Sequence, residues 1–256
     1  MKIGFIGVGK MARAIIKGLK TTHHELIVSG SSLERSQEIS RQLDLAYANS
    51  HQELIDQVDL VILGIKPQLM ETVLTPLTIT KPVLSMAAGI TLSRLEQLTS
   101  SELPLIRIMP NINATILAST TAICANELVS EELFATCQAI CDSFGETFAI
   151  TEKDFDTFTA LAGSSPAYIY LFIEALAKAG VKHGLTKDQA LAIVTQTVLA
   201  SSKHLIEEGE QPHALIDKIC SPGGTTIAGL LDLEKTGLTA SVVSSIDATI
   251  QKAKEL

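Results

Sequence analysis

The N-terminal residues contain the pattern that most restricts the fold. A short apolar run, Lys2–Ile6, leads into a GxGxxA turn at Gly7–Ala12, and apolar residues then recur at helical spacing. In such a strand–turn–helix unit the first glycine permits the tight turn, the second lets the backbone approach a pyrophosphate, and the alanine packs the helix against the strand. The pattern therefore predicts a dinucleotide-binding α/β domain rather than a turn that serves packing alone.

The end of the second predicted strand bears on which dinucleotide binds. Leu26–Ser29 is followed by a glycine, by Ser31 and Ser32, and soon afterwards by Arg35. A site selective for NAD places an acidic residue here to bind the ribose 2′-hydroxyl. Glu34 is close, but it lies in the predicted first turn of a helix, where a carboxylate matches the helix dipole. Hydroxyls and a cation instead suit a 2′-phosphate, so we expect NADPH to be preferred, with NADH possible.

Further strands alternate with helices up to about residue 150. Asp59–Ile65 is a continuous apolar run, typical of a buried parallel strand, and Pro82–Met86 is a second such strand that ends in small residues. Ligands in open α/β sheets bind at the carboxyl ends of strands, and this position favours Lys66 as a site residue over an ordinary exposed charge. The two strand ends add these residues to the predicted cofactor site: Gly64, Ile65, Lys66, Pro67, Met86, Ala87 and Ala88.

Three later segments complete the predicted sheet. Leu105–Met109 ends in a polar turn, and Ala122–Cys124 and Phe144–Ile150 flank a helix over Glu131–Cys141. The segments together predict a doubly wound sheet over residues 1–151.

Residues 152–256 show only helical periodicity. A short apolar stripe is interrupted at Gly163–Pro166, a long and nearly all-apolar helix covers Ala167–Val181, and a capping box at Thr186–Gln189 opens a helix over Ala190–Leu205. Helices this apolar cannot all be buried within one small domain. We therefore expect an all-α domain that buries them against a second copy of the chain.

A glycine turn stands out within the helical half. Ser221-Pro222-Gly223-Gly224-Thr225-Thr226 separates two helical patterns. Glycine turns and helix N-termini present free backbone N–H groups that suit a carboxylate or phosphate. The alternative is an ordinary connection between helices, with Thr225 or Thr226 as the N-cap.

Composition excludes several classes of function. The formal net charge is -8, which disfavours binding to nucleic acid or to an anionic membrane. The most apolar helix meets Glu174, so we expect no membrane span. The four cysteines and six histidines show no metal-ligand spacing, and Cys137 and Cys141 are expected in the core. His51 is a weak candidate for a contact with the cofactor adenine. The expected location is the cytoplasm.

Blocks distributed along the chain resemble the pyrroline-5-carboxylate reductase family. They are GFIGVGKM, ILGIKPQ, SMAAGI, RIMPN, ALAGSSPAYIYLFIEALAKAGVKHGL and SPGGTTIAGLLDLE. The resemblance implies a Rossmann domain with a helical dimerisation domain, a dimer-based larger oligomer and NADPH-dependent reduction of 1-pyrroline-5-carboxylate to proline, the last step of proline biosynthesis. The chain departs from the family at Ile112 and Asn113, where Thr-Pro is usual, and at Ser165, where glycine is usual.

The resemblance also implies the reaction site. NADPH would lie across Ile6, Gly7, Val8, Gly9, Lys10 and Met11 and across the serines and strand ends named above. The substrate carboxylate would bind the amides of Gly223, Gly224 and Thr225, assisted by Ser221. Thr226 would be the hydrogen-bond partner of the ring nitrogen, and Glu152 would lie near the substrate, unless it is only a helix N-terminal charge. Two rivals remain, a hydroxyacid dehydrogenase or other imine reductase and a non-catalytic NADP-sensing protein.

Overall fold

The computed structural model describes residues 1–255 and divides into two compact units. The first unit comprises Met1–Gly163 with the last described residues from Ala253 onward, and the second comprises Ser164–Lys252. The last strand ends at Ala149, and every later element of the described chain is helical. The predicted change from an α/β half to an all-α half is therefore confirmed.

The first unit is built on an eight-stranded sheet of order β3-β2-β1-β4-β5-β6-β7-β8. Neighbouring strands run parallel throughout, except for the antiparallel pair of β6 and β7. The strands are β1 (Lys2–Ile6), β2 (Glu25–Ser29), β3 (Ala46–Tyr47), β4 (Leu60–Leu63), β5 (Val83–Ser85), β6 (Leu105–Met109), β7 (Ser119–Ala125) and β8 (Gly145–Ala149). All except the two-residue β3 were predicted from the sequence to within a few residues.

Helices cover both faces of this sheet. The strand β4 shows why both faces must be covered, because Leu60 and Ile62 join one apolar cluster while Val61 and Leu63 join the other. The helices α1 and α6 contribute to the first cluster, and α3, α4 and α5 contribute to the second. The helices of this region are α1 (Lys10–Leu19), α2 (Leu33–Leu43), α3 (His51–Gln57), α4 (Met70–Leu74), α5 (Leu92–Leu98) and α6 (Glu131–Asp142).

The cysteines divide between the core and the surface. Cys124, Cys137 and Cys141 are buried, whereas Cys220 is partly exposed, and all four are free thiols. Burial raises the pKa of Cys124 and of Cys137 to about 12, and it also raises the pKa of Cys141. The expectation that Cys137 and Cys141 are core side chains is confirmed.

The helical stretch that follows β8 runs without a break from Glu152 to Lys182. It begins with a 3-10 turn at Glu152–Asp154, continues as α7 (Phe155–Phe158) and a π-helical turn at Thr159–Ser164, and ends as α8 (Ser165–Lys182). The predicted interruption at Gly163–Pro166 was wrong. The wider π turn accommodates the small residues, and Pro166 stands in the first turn of α8, where its missing N–H costs little.

The second unit consists of α8 and four further helices, α9 (Lys187–Glu208), α10 (Pro212–Ile219), α11 (Thr225–Lys235) and α12 (Leu238–Ala253). The predicted capping box is present, with the Thr186 hydroxyl accepting from the Gln189 N–H. The helices α8 and α9 approach closely, since a Cβ at Gly180 would lie 2.9 Å from the Ala190 Cβ. Ala177 and Ala190 are nevertheless the only buried residues between positions 164 and 252.

Many large apolar side chains on the second unit are exposed. Leu171 is 69% exposed and Leu199 is 61% exposed. By length and composition, Glu152–Lys182 could also cross a membrane, although core helices of other proteins meet the same test. A helix of this character requires burial against something outside the chain, which the sequence predicted to be a second copy.

Candidate active site

The turn between β1 and α1 is formed by two glycines in backbone contact. Gly7 has φ +81, and its N–H donates to the Ser29 carbonyl across 3.0 Å. A Cβ at Gly7 would lie 2.9 Å from the Gly64 carbonyl oxygen, and a Cβ at Gly64 would lie 2.2 Å from that of Gly7. The chain after β1 and the chain after β4 can therefore meet only because both positions lack a side chain.

The N-terminus of α1 fits a pyrophosphate. Its N-cap is Gly9, no side chain caps it, and its first turn contains no acidic residue. A Cβ built at Gly9 would meet nothing within 4 Å. The free amides of the first helical turn and the positive end of the helix dipole thus border open space, which is the arrangement that binds phosphate groups.

The end of β2 carries hydroxyls in the place where an NAD site has a carboxylate. Ser32 is the N-cap of α2, and its hydroxyl accepts from the Arg35 N–H at 3.2 Å. The Arg35 guanidinium pairs with Glu38 at 2.5 Å in an exposed ion pair. The pKa of Glu34 is lowered by a hydrogen bond from its own backbone N–H and by the Ser32 hydroxyl, so its charge is used at the helix start, as the sequence indicated.

The histidine beside this strand end was singled out only weakly from the sequence. The His51 Nδ1 atom lies 2.7 Å from the Ser29 hydroxyl. Burial lowers the pKa of His51, which keeps the ring neutral near pH 7. His51 therefore holds the side chain of Ser29, the last residue of β2, close to the two serines that follow this strand.

The cofactor residues predicted from the sequence follow the carboxyl ends of neighbouring parallel strands. Parallel strands β2, β1, β4 and β5 are adjacent, so the segments that follow them lie side by side. Lys66 is exposed. It follows the carboxyl end of β4 and precedes a 3-10 turn at Pro67–Leu69, so its position in the fold is the one predicted from the sequence. Met86 and the small residues Ala87 and Ala88 follow β5, and Ala87 is buried whereas Ala88 is exposed.

An ion pair between a buried arginine and a partly exposed glutamate lies in the same unit. The Arg107 guanidinium on β6 donates to Glu152 Oε1 at 2.9 Å, and the Leu92 N–H donates to the same oxygen at 2.7 Å. The Arg107 side chain is 8% exposed, and its guanidinium carbon lies 4.4 Å from the centre of the Phe155 ring. Glu152 also lines an open groove of about 700 Å³ with Cys124.

The glycine turn of the second unit presents free amides. The N-cap of α11 is Gly224, with no side-chain cap and no acid in the first turn. Neither Thr225 nor Thr226 is the N-cap, which corrects the alternative drawn from the sequence, and both threonines are exposed. Gly223 has φ +68 and Gly224 donates to the Ser221 carbonyl at 3.0 Å, so the turn closes on itself. Its outer amides are available to an anion.

Comparisons with known proteins cover both units. Residues 152–256 match the family model described as pyrroline-5-carboxylate reductase dimerisation, and residues 2–89 match the one described as NADP oxidoreductase, coenzyme F420-dependent. The chain is 39% identical to pyrroline-5-carboxylate reductase 1 of Bacillus spizizenii, over 100% of this chain and 89% of that protein. The chain belongs to the pyrroline-5-carboxylate reductase family.

Solved structures of this family agree along the whole chain. The 1-pyrroline-5-carboxylate reductase of Streptococcus pyogenes is 70% identical with a TM-score of 0.93, covering 100% of this chain and 99% of that one. The Plasmodium falciparum enzyme, solved with NADP bound, is 32% identical with a TM-score of 0.86, covering 100% and 97%. Pyrroline-5-carboxylate reductases are oxidoreductases that act on a C=N bond, so the chain is an oxidoreductase of this kind.

The sequence of this pyrroline-5-carboxylate reductase family member indicated the glycine turns but not the buried pair. Arg107 interrupts the apolar run of β6, and Glu152 was expected near the substrate. A cation within a buried strand signals a carboxylate partner in the fold. That signal was available from the sequence, whereas the identity of the partner was not.

Proposed function

We propose that this chain reduces the C=N bond of 1-pyrroline-5-carboxylate with NADPH to give L-proline, the last step of proline biosynthesis. Full-length membership of the pyrroline-5-carboxylate reductase family is the observation that carries the proposal. Two uncapped helix N-termini, at Gly9 and at Gly224, support it, since one suits the cofactor pyrophosphate and the other a small carboxylate.

Residues 1–151 would bind NADPH. The amides after Gly9 hold the pyrophosphate, and Ser31, Ser32 and Arg35 face the 2′-phosphate. The ion pair between Arg35 and Glu38 is exposed to solvent and therefore weak enough for Arg35 to turn to the phosphate. The segments Gly64–Pro67 and Met86–Ala88 hold the remainder of the cofactor. The bound cofactor supplies the hydride from its reduced nicotinamide. NADH would be accepted less well, because no carboxylate replaces the serines.

Residues 152–256 would bind the substrate and form the dimer. The substrate carboxylate accepts from the amides of Gly223 and Thr225, with the Ser221 hydroxyl as a further donor. The Gly224 N–H, which the sequence placed with them, donates to the Ser221 carbonyl and shapes the turn. The Thr226 Oγ1 hydroxyl donates to the ring nitrogen, which gains basicity as the C=N bond is reduced. A threonine hydroxyl is a poor acid, so the proton either passes through Thr226 from water or is already on the imine when it binds.

The assembly proposed is a homodimer joined through the exposed helices, which then associates into a larger homo-oligomer in the cytoplasm. The match of residues 152–256 to a dimerisation family supports the dimer. Burial of Glu152–Lys182 against a partner subunit accounts for its apolar surface without a membrane, and the net charge of -8 supports the absence of a nucleic-acid partner.

Nicotinamide absorbance tests the reaction. In a mixture of the purified protein, NADPH and 1-pyrroline-5-carboxylate, the absorbance of the reduced nicotinamide should fall as proline forms. The variant Thr226→Val keeps the shape of the side chain and removes the hydroxyl. Its rate of reduction should be lower by about 100-fold or more, the usual contribution of a proton-transfer partner. Thr225→Val is the matched control and should retain most of the rate, because only its amide is assigned. Turnover of a keto acid but not of the cyclic imine would indicate a hydroxyacid dehydrogenase, and NADPH binding without turnover would indicate a sensor.

A further inference from the structure

Glu152 Oε1 joins three elements of the first unit. It accepts from the Arg107 guanidinium on β6 and from the N–H of Leu92, the first residue of α5, while Glu152 itself begins the helical stretch that follows β8. Arg107 is held in turn by the Phe155 ring and lies directly beside Ser85, the last residue of β5. The carboxylate therefore connects β6, at the residue paired with the end of β5, to the start of α5 through two charge-assisted hydrogen bonds.

The segment between these two points, Met86–Thr91, is weakly held by its own backbone. The Met86 N–H lies 3.5 Å from the Leu63 carbonyl, and the Ile90 N–H lies 3.4 Å from the Ala87 carbonyl, both near the limit of hydrogen bonding. Gly89 has φ +75, and a Cβ there would meet nothing within 4 Å. The 2.7 Å bond from the Leu92 N–H to Glu152 is accordingly the firmest contact at the end of this segment.

We propose that Glu152 is a positioning residue for NADPH binding, which it promotes by fixing Met86–Thr91 through the Leu92 N–H. The proposal rests on the proposed function, in which Met86–Ala88 contacts the cofactor at the end remote from the 2′-phosphate. Glu152 does not need to touch the cofactor or the substrate in this role. Its effect is confined to the part of the cofactor that β5 faces, since two strands, β1 and β4, lie between β5 and the strand β2 that precedes the serines.

Two probes separate this role from general destabilisation. NADPH contacts both ends of the site, whereas adenosine 2′,5′-bisphosphate carries the 2′-phosphate and lacks the nicotinamide. The chain contains no tryptophan, so nicotinamide fluorescence reports NADPH binding without an indole background, and calorimetry reports the bisphosphate. Glu152→Gln removes the charge while keeping one acceptor oxygen for the Leu92 N–H. Glu71→Gln breaks the exposed ion pair between Glu71 of α4 and Arg94 of α5, the helix that Leu92 begins, and is the matched control.

Glu152→Gln should raise the Kd for NADPH about tenfold, the difference expected when a charge-assisted hydrogen bond becomes a neutral one, and leave the Kd for the bisphosphate unchanged. Glu71→Gln should change neither constant. Equal losses for both probes, or no loss for either, would overturn the proposal.

A double variant covers the case in which Glu152→Gln does not fold. Arg107→Met with Glu152→Gln removes the buried cation together with the carboxylate, which is well tolerated when a buried pair is replaced as a whole. This protein should fold with the wild-type Tm and still bind NADPH about tenfold more weakly, because the bond from the Leu92 N–H is weakened in the same way. Wild-type affinity for NADPH in the folded double variant would overturn the positioning role. Reduction of the cyclic imine by the wild-type protein is measured separately, so a failure of the proposed function is distinguished from a failure of this inference.

Discussion

The two units of this chain differ in how far their apolar side chains are buried. In the first unit each central strand buries residues on both faces, and the helices cover them. In the second unit only Ala177 and Ala190 are buried, although its helices are at least as apolar. The first unit therefore has a core of its own, whereas the second supplies half of a core. Family membership explains the difference, because the second unit lies in the region that matches a dimerisation domain.

The largest expected effect concerns the exposed helices. Leu171→Glu should raise the dissociation constant of the dimer by about 100-fold or more, because an unpaired charge in an apolar interface costs several kcal/mol. Sedimentation velocity over a dilution series measures it. Leu128→Glu, at a similarly exposed leucine of the first unit, is the control and should leave assembly unchanged. Unaltered association of the Leu171 variant would remove α8 from the interface.

The next effect tests the backbone contact within the first unit. Gly64→Ala places a Cβ 2.2 Å from the Gly7 carbonyl oxygen, so we expect a loss of about 3 kcal/mol in the free energy of unfolding, at the upper end for overpacking. Gly9→Ala meets nothing within 4 Å, and it should leave stability within about 1 kcal/mol while weakening NADPH binding. Urea denaturation and nicotinamide fluorescence give the two quantities. Equal stability of both variants would contradict the packing argument.

A smaller effect is expected at the glycine turn of the second unit. Gly223→Ala forces an alanine to φ +68 at a cost of about 1–2 kcal/mol, and the shifted amides should raise the KM for the imine with little change in the Kd for NADPH. Gly209→Ala carries the same strain at φ +64 at the end of α9. Strain alone would make the two variants alike in steady-state kinetics, whereas a binding role separates them.

The smallest effect is a dependence of stability on pH that arises in the first unit. The pKa values of His51 and His24 are lowered from 6.5, chiefly by burial. The unfolded chain therefore binds protons first as the pH falls below about 6.5, so stability is full above that value and declines below it. Denaturation midpoints from pH 5 to 8 should show this decline, and His51→Gln should reduce it. An unchanged slope in the variant would exclude His51 as a source.

The sequence was sufficient for the sheet because its signals are local. Gly7 and Gly9 indicate the turn, and continuous apolar runs such as Leu60–Leu63 indicate strands that are buried on both faces. The interruption expected at Gly163–Pro166 was wrong because small residues and proline are compatible with a π turn and with the first turn of a helix as well as with a loop. Local sequence does not distinguish these cases.

The candidate site likewise contains features that the local sequence predicts and features that only the fold brings together. The glycine turns could be predicted because a backbone that binds anions requires specific residue types. The pairing of Arg107 with Glu152 could not, because 45 residues separate them and only the fold brings them together. The same holds for the bond between Ser29 and His51, which connects the ends of two different elements.

The difference in burial among the four cysteines allows one position in the second unit to be labelled selectively. Three cysteines are buried, and burial raises their pKa values well above neutrality, whereas Cys220 is partly exposed and stands one residue before Ser221. A maleimide fluorophore applied to the native protein would therefore attach at a single natural position. Its emission would report directly on events at the neighbouring glycine turn, with no engineered cysteine.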